Sequence, residues 1–184
     1  QQEAAAVAGL FPKDRLLLVG GRATEAAFKT SAGHYDVLHL ATHGYFNRFN
    51  PLLSGLELEP DAKEDGRLEV HEILGLRLAA RLVVLSACDT ALGGGYFSEV
   101  PSGDDIVGLT RAFLFAGSPS VVASLWAVND QSTMKLMSAF YGQLLPASDL
   151  NSSGGQAVDK AAALAAAQRE LLGRAGRYAH PYFW

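Results

Sequence analysis

Three short aliphatic runs constrain this chain most: Asp36–Ala41 (DVLHLA), Arg81–Ala87 (RLVVLSA) and Ser120–Trp126 (SVVASLW). A strand with one face in water alternates apolar and polar residues, and these runs do not. Runs that are apolar on both faces belong to strands covered on both sides, which is the situation of a parallel sheet flanked by helices. Arg15–Val19 (RLLLV), closed by Gly20 and Gly21, reads as a further buried strand of the same kind.

Helical patterns separate and follow these runs. Thr24 is placed to cap a helix reaching about Ala32, with Ala27 and Phe28 turned inward. Val70–Leu76 makes a short helix. Ile106–Ala116 is apolar almost all round, which predicts deep burial, and Gly117 is placed to end it. Asp130 reads as the cap of the next helix, whose Met134, Met137, Tyr141 and Leu144 share one face. The alanine-rich Ala157–Leu172 has high helix propensity. Strands alternating with helices predict an α/β fold with a mostly parallel sheet. Three stretches interrupt the alternation: Thr42–Asp65 with a hairpin arm at Gly55–Glu59, the loop Ala91–Asp105 containing Gly93–Gly95, and the linker Ala147–Gln156.

Length and charge narrow the function classes. A chain of 184 residues has room for one domain with a sizeable core. With a formal charge of −4 and no basic stripe, neither a nucleic-acid groove nor an anionic membrane surface has an electrostatic basis. No apolar run approaches the roughly 20 residues of a spanning helix, and Gln1–Leu10 lacks the pattern of a signal peptide. The one cysteine, Cys88, excludes an intrachain disulfide and a cysteine-only metal site. A reducing, cytoplasmic setting is the corresponding expectation.

The chemistry concentrates in Thr42-His43-Gly44 and Ser86-Ala87-Cys88-Asp89-Thr90, each at the carboxyl end of a predicted strand. That edge of an open parallel sheet is where ligands bind. If the two strands are adjacent, about 4.8 Å apart, both side chains project into one cleft. A thiol acts as nucleophile in its thiolate form, and an imidazole can take its proton. Taken alone, Cys88 could be a small buried hydrophobe and His43 an ordinary polar residue. His39 reads as a core histidine, and His34, His71 and His180 as structural or surface residues. Asp89 reads more simply as a loop hydrogen-bonding residue than as a third catalytic group. Gly93–Gly95 lacks the strand–glycine–helix context of a dinucleotide site.

Four blocks in order, LHLATHGYFNRFNPLLSGLEL, VVLSACDTALGGG, GDDIVGLTRAFLFAGSPSVVASLWAVND and HPYFW, resemble the signature segments of CHAT domains. These are caspase-like bacterial proteins related to separases, and many lie behind tetratricopeptide repeats. The resemblance implies a caspase-like α/β/α sandwich with cysteine endopeptidase activity and no cofactor. It makes His43 the general base and Cys88 the nucleophile, with the backbone N–H groups of Gly44 and Cys88 as the oxyanion hole. Cys88 follows His43 by 45 residues, close to the spacing of about 50 in caspases. It further implies that 1–184 forms one peptidase domain lacking segments at both ends, with an upstream repeat region, sensor or activator as partner.

Substrate-binding expectations are Ser86, Asp104, Asp105 and Trp126. Ser86 lies two residues before Cys88, where related proteases line the pocket for the residue preceding the cut. Asp104 and Asp105 suit either an acidic pocket or the cap of the following helix. Trp126 resembles the segment that pairs with substrate backbone. The leading reading is a cysteine endopeptidase that cleaves protein substrates in a regulated bacterial response of the defence or cell-death type. The alternatives are a non-catalytic interaction module and a cysteine hydrolase of small amides or esters.

Overall fold

In a computed structural model, the structure describes residues 1–11, 13–47, 49–86, 88–89, 103–124, 128–145, 159–173 and 176–183, with backbone only at 88, 89, 103–107, 177 and 183. The chain divides into two compact units, Gln1–Leu17 with Val128–Trp184, and Leu18–Ala127. The glycine loop 93–95, the linker 147–156 and Trp126 lie outside the described residues.

The first unit is helical: α1 (Gln2–Leu10), α5 (Asp130–Leu144) and α6 (Lys160–Gly173). Of the α5 face predicted from Met134, Met137, Tyr141 and Leu144, the last three are buried and Met134 is half-buried, and the buried face widens to include Leu136 and Phe140. Tyr141 stacks edge-on against Phe11, with ring centroids 5.5 Å apart. On α6 the buried positions are Ala163, Ala167 and Leu171, one helical face at four-residue spacing. The cap of α5 is Asn129 rather than Asp130: its side-chain oxygen accepts from the Gln131 and Ser132 amides at 3.1 and 3.3 Å. Asp130 is instead the first helical residue, where a carboxylate suits the positive end of the helix dipole.

The second unit holds α2 (Glu25–Ser31), β1 (Val37–Leu40), β2 (His43–Tyr45), β3 (Gly55–Glu57), β4 (Arg67–Glu69), α3 (Val70–Ile73), β5 (Leu82–Leu85), β6 (Cys88–Asp89), α4 (Gly103–Phe115) and β7 (Val121–Ala123). Three of these strands form a parallel sheet in the order β1-β5-β7, which realises the expected α/β class. The central strand β5 is buried at every residue, as its unbroken LVVL run requires. Leu38, Leu40, Val83 and Leu85 share one core with Ala112 and Phe113 of α4 and with Val70 and Ile73. Thr24 caps α2 as expected, its hydroxyl accepting from the Ala27 amide at 3.1 Å. Phe28 packs against the core while remaining half-buried.

Two further expectations fail for identifiable reasons. Residues 15–19 join neither sheet: Leu16 is 48% exposed, and the run straddles the boundary between the two units. An aliphatic run does not by itself select a strand. Helix α4 is not buried all round, since Leu114 and Phe115 are 45% and 76% exposed while Leu109, Ala112 and Phe113 face the core. Gly117 ends this helix at φ +120, where a Cβ would lie 2.6 Å from the Leu78 carbonyl oxygen.

Candidate active site

The remaining strands make a second, four-stranded sheet in the order β4-β3-β2-β6. Its origin lies in the parallel sheet. β2 begins three residues after β1 ends, and β6 begins three residues after β5 ends. The parallel register pairs Leu40 with Leu85 and, further along, His43 with Cys88. The residue offset is the same at both places, so the two chains advance side by side without slipping. The Ser86 amide, donating to the Leu40 carbonyl at 2.9 Å, spans the gap.

Side chains alternate between faces along a strand, so laterally paired residues form rows. One row runs Arg67, Glu57, His43, Cys88 across β4, β3, β2 and β6. The next runs Leu68, Leu56, Gly44, Asp89, and the third joins Glu69, Gly55 and Tyr45. Leu56 and Leu68 are fully buried, so the middle row faces the core. His43, Glu57 and Arg67 are exposed, which makes theirs an open row. The ladder thus places position 88 beside His43, and it places Asp89 in the other row.

The local sequence explains why this sheet holds. The Thr42 hydroxyl donates to the Glu57 carbonyl, which pins the residue before His43 to β3. Tyr45 crosses over Gly55 to donate its hydroxyl to Glu69 Oε1 at 3.3 Å. A side chain at position 55 is excluded because its Cβ would stand 2.3 Å from the Leu68 carbonyl oxygen. The Arg67 guanidinium lies over the Tyr45 ring, 5.7 Å from its centroid. Burial, and then the Glu69 carboxylate beside it, push the Tyr45 hydroxyl above the ordinary phenol range, so it stays a hydrogen-bond donor.

The other sequence-predicted residues fall as follows. Gly44 is buried in β2, directly after His43. Ser86 is buried at the carboxyl end of β5. Asp104 and Asp105 are the second and third residues of α4 rather than residues preceding it, and only their backbone is described. Trp126 lies outside the described residues. The sequence did not single out Glu57 or Arg67. The signal available for Glu57 was the period-two alternation of Gly55-Leu-Glu-Leu-Glu59, which puts the glutamates opposite Leu56 and Leu58.

Among the described residues, two carboxylate clusters have spacing that could hold a cation, Glu69/His71/Glu72 and Glu25/Glu64/Glu72. Protein groups already use both. Lys29 Nζ stands 2.6, 2.7 and 3.1 Å from Glu25, Glu72 and Glu64. Glu69 and Glu72 cap α3 reciprocally, each side chain accepting a backbone amide of the other's turn.

The CHAT domain family model matches residues 1–184. Tetratricopeptide repeat protein 28 of Mus musculus is 37% identical over 91 residues, covering 50% of this chain and 4% of that protein. Tetratricopeptide repeat protein 28 of Homo sapiens is 32% identical over 91 residues, covering 50% of this chain and 3% of that protein. The chain therefore spans only a small part of the length of these curated relatives.

Proposed function

Since this chain belongs to the CHAT domain family, we propose that it is a cysteine endopeptidase in which His43 and Cys88 form the catalytic dyad. The observation that carries this reading is the parallel register His43↔Cys88 at the carboxyl ends of two adjacent strands. A base and a nucleophile on neighbouring strands stand within reach of one reacting carbonyl. His43 is exposed, as a base that must meet substrate has to be.

In this mechanism His43 accepts the Cys88 proton and the sulfur attacks the carbonyl carbon of the scissile peptide bond. The oxyanion is met by the backbone N–H groups of Gly44 and Cys88. His43 then protonates the leaving amine as the C–N bond breaks, leaving a thioester on Cys88. Water, deprotonated by His43, hydrolyses the thioester and restores the thiol. We assign Ser86, Asp104, Asp105 and Trp126 to the substrate side of the cleft, with a protein substrate and no cofactor. The family match spans both compact units, so 1–184 is read as one peptidase domain.

A tetratricopeptide repeat region is the partner proposed to regulate the site, on the support that the relatives above are tetratricopeptide repeat proteins. Action in the cytoplasm suits a free-thiol nucleophile. Among the described residues no helix is long and apolar enough to cross a membrane.

The test uses a peptidyl acyloxymethyl ketone, which alkylates an activated cysteine. Because Cys88 is the chain's single cysteine, intact-mass analysis reads one site. Labelling of the wild type is expected, with loss in Cys88→Ala and at least a hundredfold slowing in His43→Ala, on the order of the general-base contribution. A His43→Ala variant that labels at the wild-type rate would leave a docking module as the better reading.

A further inference from the structure

The open row of the small sheet has two further members, and one of them has a chemical use that the dyad leaves unfilled. A catalytic imidazole needs its second ring nitrogen held, both to fix the ring and to stabilise the imidazolium formed when it takes the thiol proton. In register with His43, on the side away from Cys88, stands Glu57 of β3. Directly opposed residues of an antiparallel pair have Cβ atoms about 4.5–5.5 Å apart, within reach for a glutamate and an imidazole.

Resting on the dyad reading, we propose that Glu57 is the positioning residue for His43, so that carboxylate, imidazole and thiol lie in sequence along one row. Three observations support it. Glu57 and His43 are both exposed on the open face, so neither is committed to the core. The Thr42 hydroxyl bonded to the Glu57 carbonyl fixes the backbone of the pair on both strands at that register. Arg67, the next residue along the row, directs its guanidinium over the Tyr45 ring. Asp89, the other acidic residue close to the dyad in the chain, belongs to the row of Gly44, Leu56 and Leu68. The ladder, rather than a side-chain contact already made, brings Glu57 and His43 together. Catalytic hydrogen bonds commonly tighten only when substrate is bound.

The test reads thiolate formation at Cys88 directly, without a natural substrate. Iodoacetamide alkylates the thiolate, and its second-order rate with the full chain is followed by intact mass near neutral pH. Glu57→Gln, which keeps shape and removes charge, is expected to slow alkylation roughly tenfold, the effect of one nearby opposite charge on a titrating group. Glu57→Asp, which keeps the charge, is expected to recover most of that loss, and both variants should keep the wild-type circular dichroism spectrum. A Glu57→Gln rate within twofold of the wild type overturns the proposal, as does an equal loss in Glu57→Asp. His43→Ala run in parallel separates the two levels: slow His43→Ala with unaffected Glu57→Gln removes only the role of Glu57. Wild-type alkylation in His43→Ala removes the dyad itself.

Discussion

The two sheets of the second unit are built from continuous chain, yet they are held in different ways. In the parallel sheet, β5 is buried on both faces and its partners bring aliphatic side chains into one core with α4. In the small sheet, among the residues with described side chains, Leu56 and Leu68 of the middle row are fully buried, and the outer rows carry a tyrosine, an arginine, glutamates and His43. The first is a platform stabilised by desolvation, at roughly 25 cal/mol per Å² of apolar surface. The second is a chemical surface held by hydrogen bonds, a cation–π contact and the charged cluster around Lys29. Stability and reactivity should therefore divide between the sheets, and substitutions can test that division.

The largest expected contrast sets Phe113 against His43. Phe113 is fully buried in the core shared with the parallel sheet, and Phe113→Ala should cost about 4 kcal/mol of stability by opening a cavity there. His43 is exposed on β2, so His43→Ala should change stability by less than about 0.5 kcal/mol while labelling of Cys88 collapses. Urea unfolding followed by circular dichroism reads both. A His43→Ala loss approaching that of Phe113→Ala would erase the distinction between platform and chemical surface.

A smaller effect should come from Lys29, the hub of the small sheet's support. Its ammonium meets Glu25 of α2, Glu64 in the β3–β4 turn and Glu72 of α3. Glu25 in turn accepts from the Gly66 amide at 2.9 Å, in the same turn. Lys29→Met would leave three carboxylates facing one another, with the Glu25 side chain almost wholly buried. A loss of about 2–3 kcal/mol is expected, reduced from a fully buried pair because Lys29, Glu64 and Glu72 are partly exposed. The damage should be local first. The Leu58 amide, which donates to the Gly66 carbonyl at 2.7 Å, should lose hydrogen-exchange protection ahead of the Val84 amide in β5. Simultaneous loss at both positions would mean that the two sheets open as one.

The same division decides what could be read from the sequence. The three strands of the parallel sheet were legible from their aliphatic runs, although burial at every residue holds only for β5, Leu82–Leu85, while β1 and β7 are partly buried. The capped helices were legible through Thr24 and the i, i+4 face of α5. Of the small sheet, β3 was legible within the hairpin arm expected at Gly55–Glu59, but β2, β4 and β6 were not, since strands of two or three residues give periodicity almost nothing to act on. Its β2 is the motif His43-Gly-Tyr45, which reads as loop until the neighbouring ladder extends it. His43 and Cys88 stood out because residue type and position at strand ends carry chemical meaning. Glu57 did not, because its significance lies in a lateral register that exists only once β2 and β3 pair.

The finest test compares two carboxylates on the one lysine. Burial pushes Glu25 above the ordinary glutamate range, outweighing its hydrogen bond from Lys29. Glu72 also feels burial, but the hydrogen bonds from Lys29 and the Glu69 amide bring it below that range. The signs of their contributions to stability are therefore opposite. Glu72 contributes stability that is present above the ordinary glutamate value and lost as pH falls through its lowered one. Glu25 contributes stability that is present below the ordinary value and lost as pH rises through its raised one. Glu72→Gln should accordingly cost about 1 kcal/mol near pH 7, with the difference from wild type shrinking towards pH 3. Glu25→Gln, a permanent stand-in for the protonated acid, should gain on the wild type over the same rise in pH. Thermal midpoints of both variants across that range decide the matter: parallel curves would show that Lys29 holds the two carboxylates equally, and that the hairpin beneath His43 has no preferred anchor.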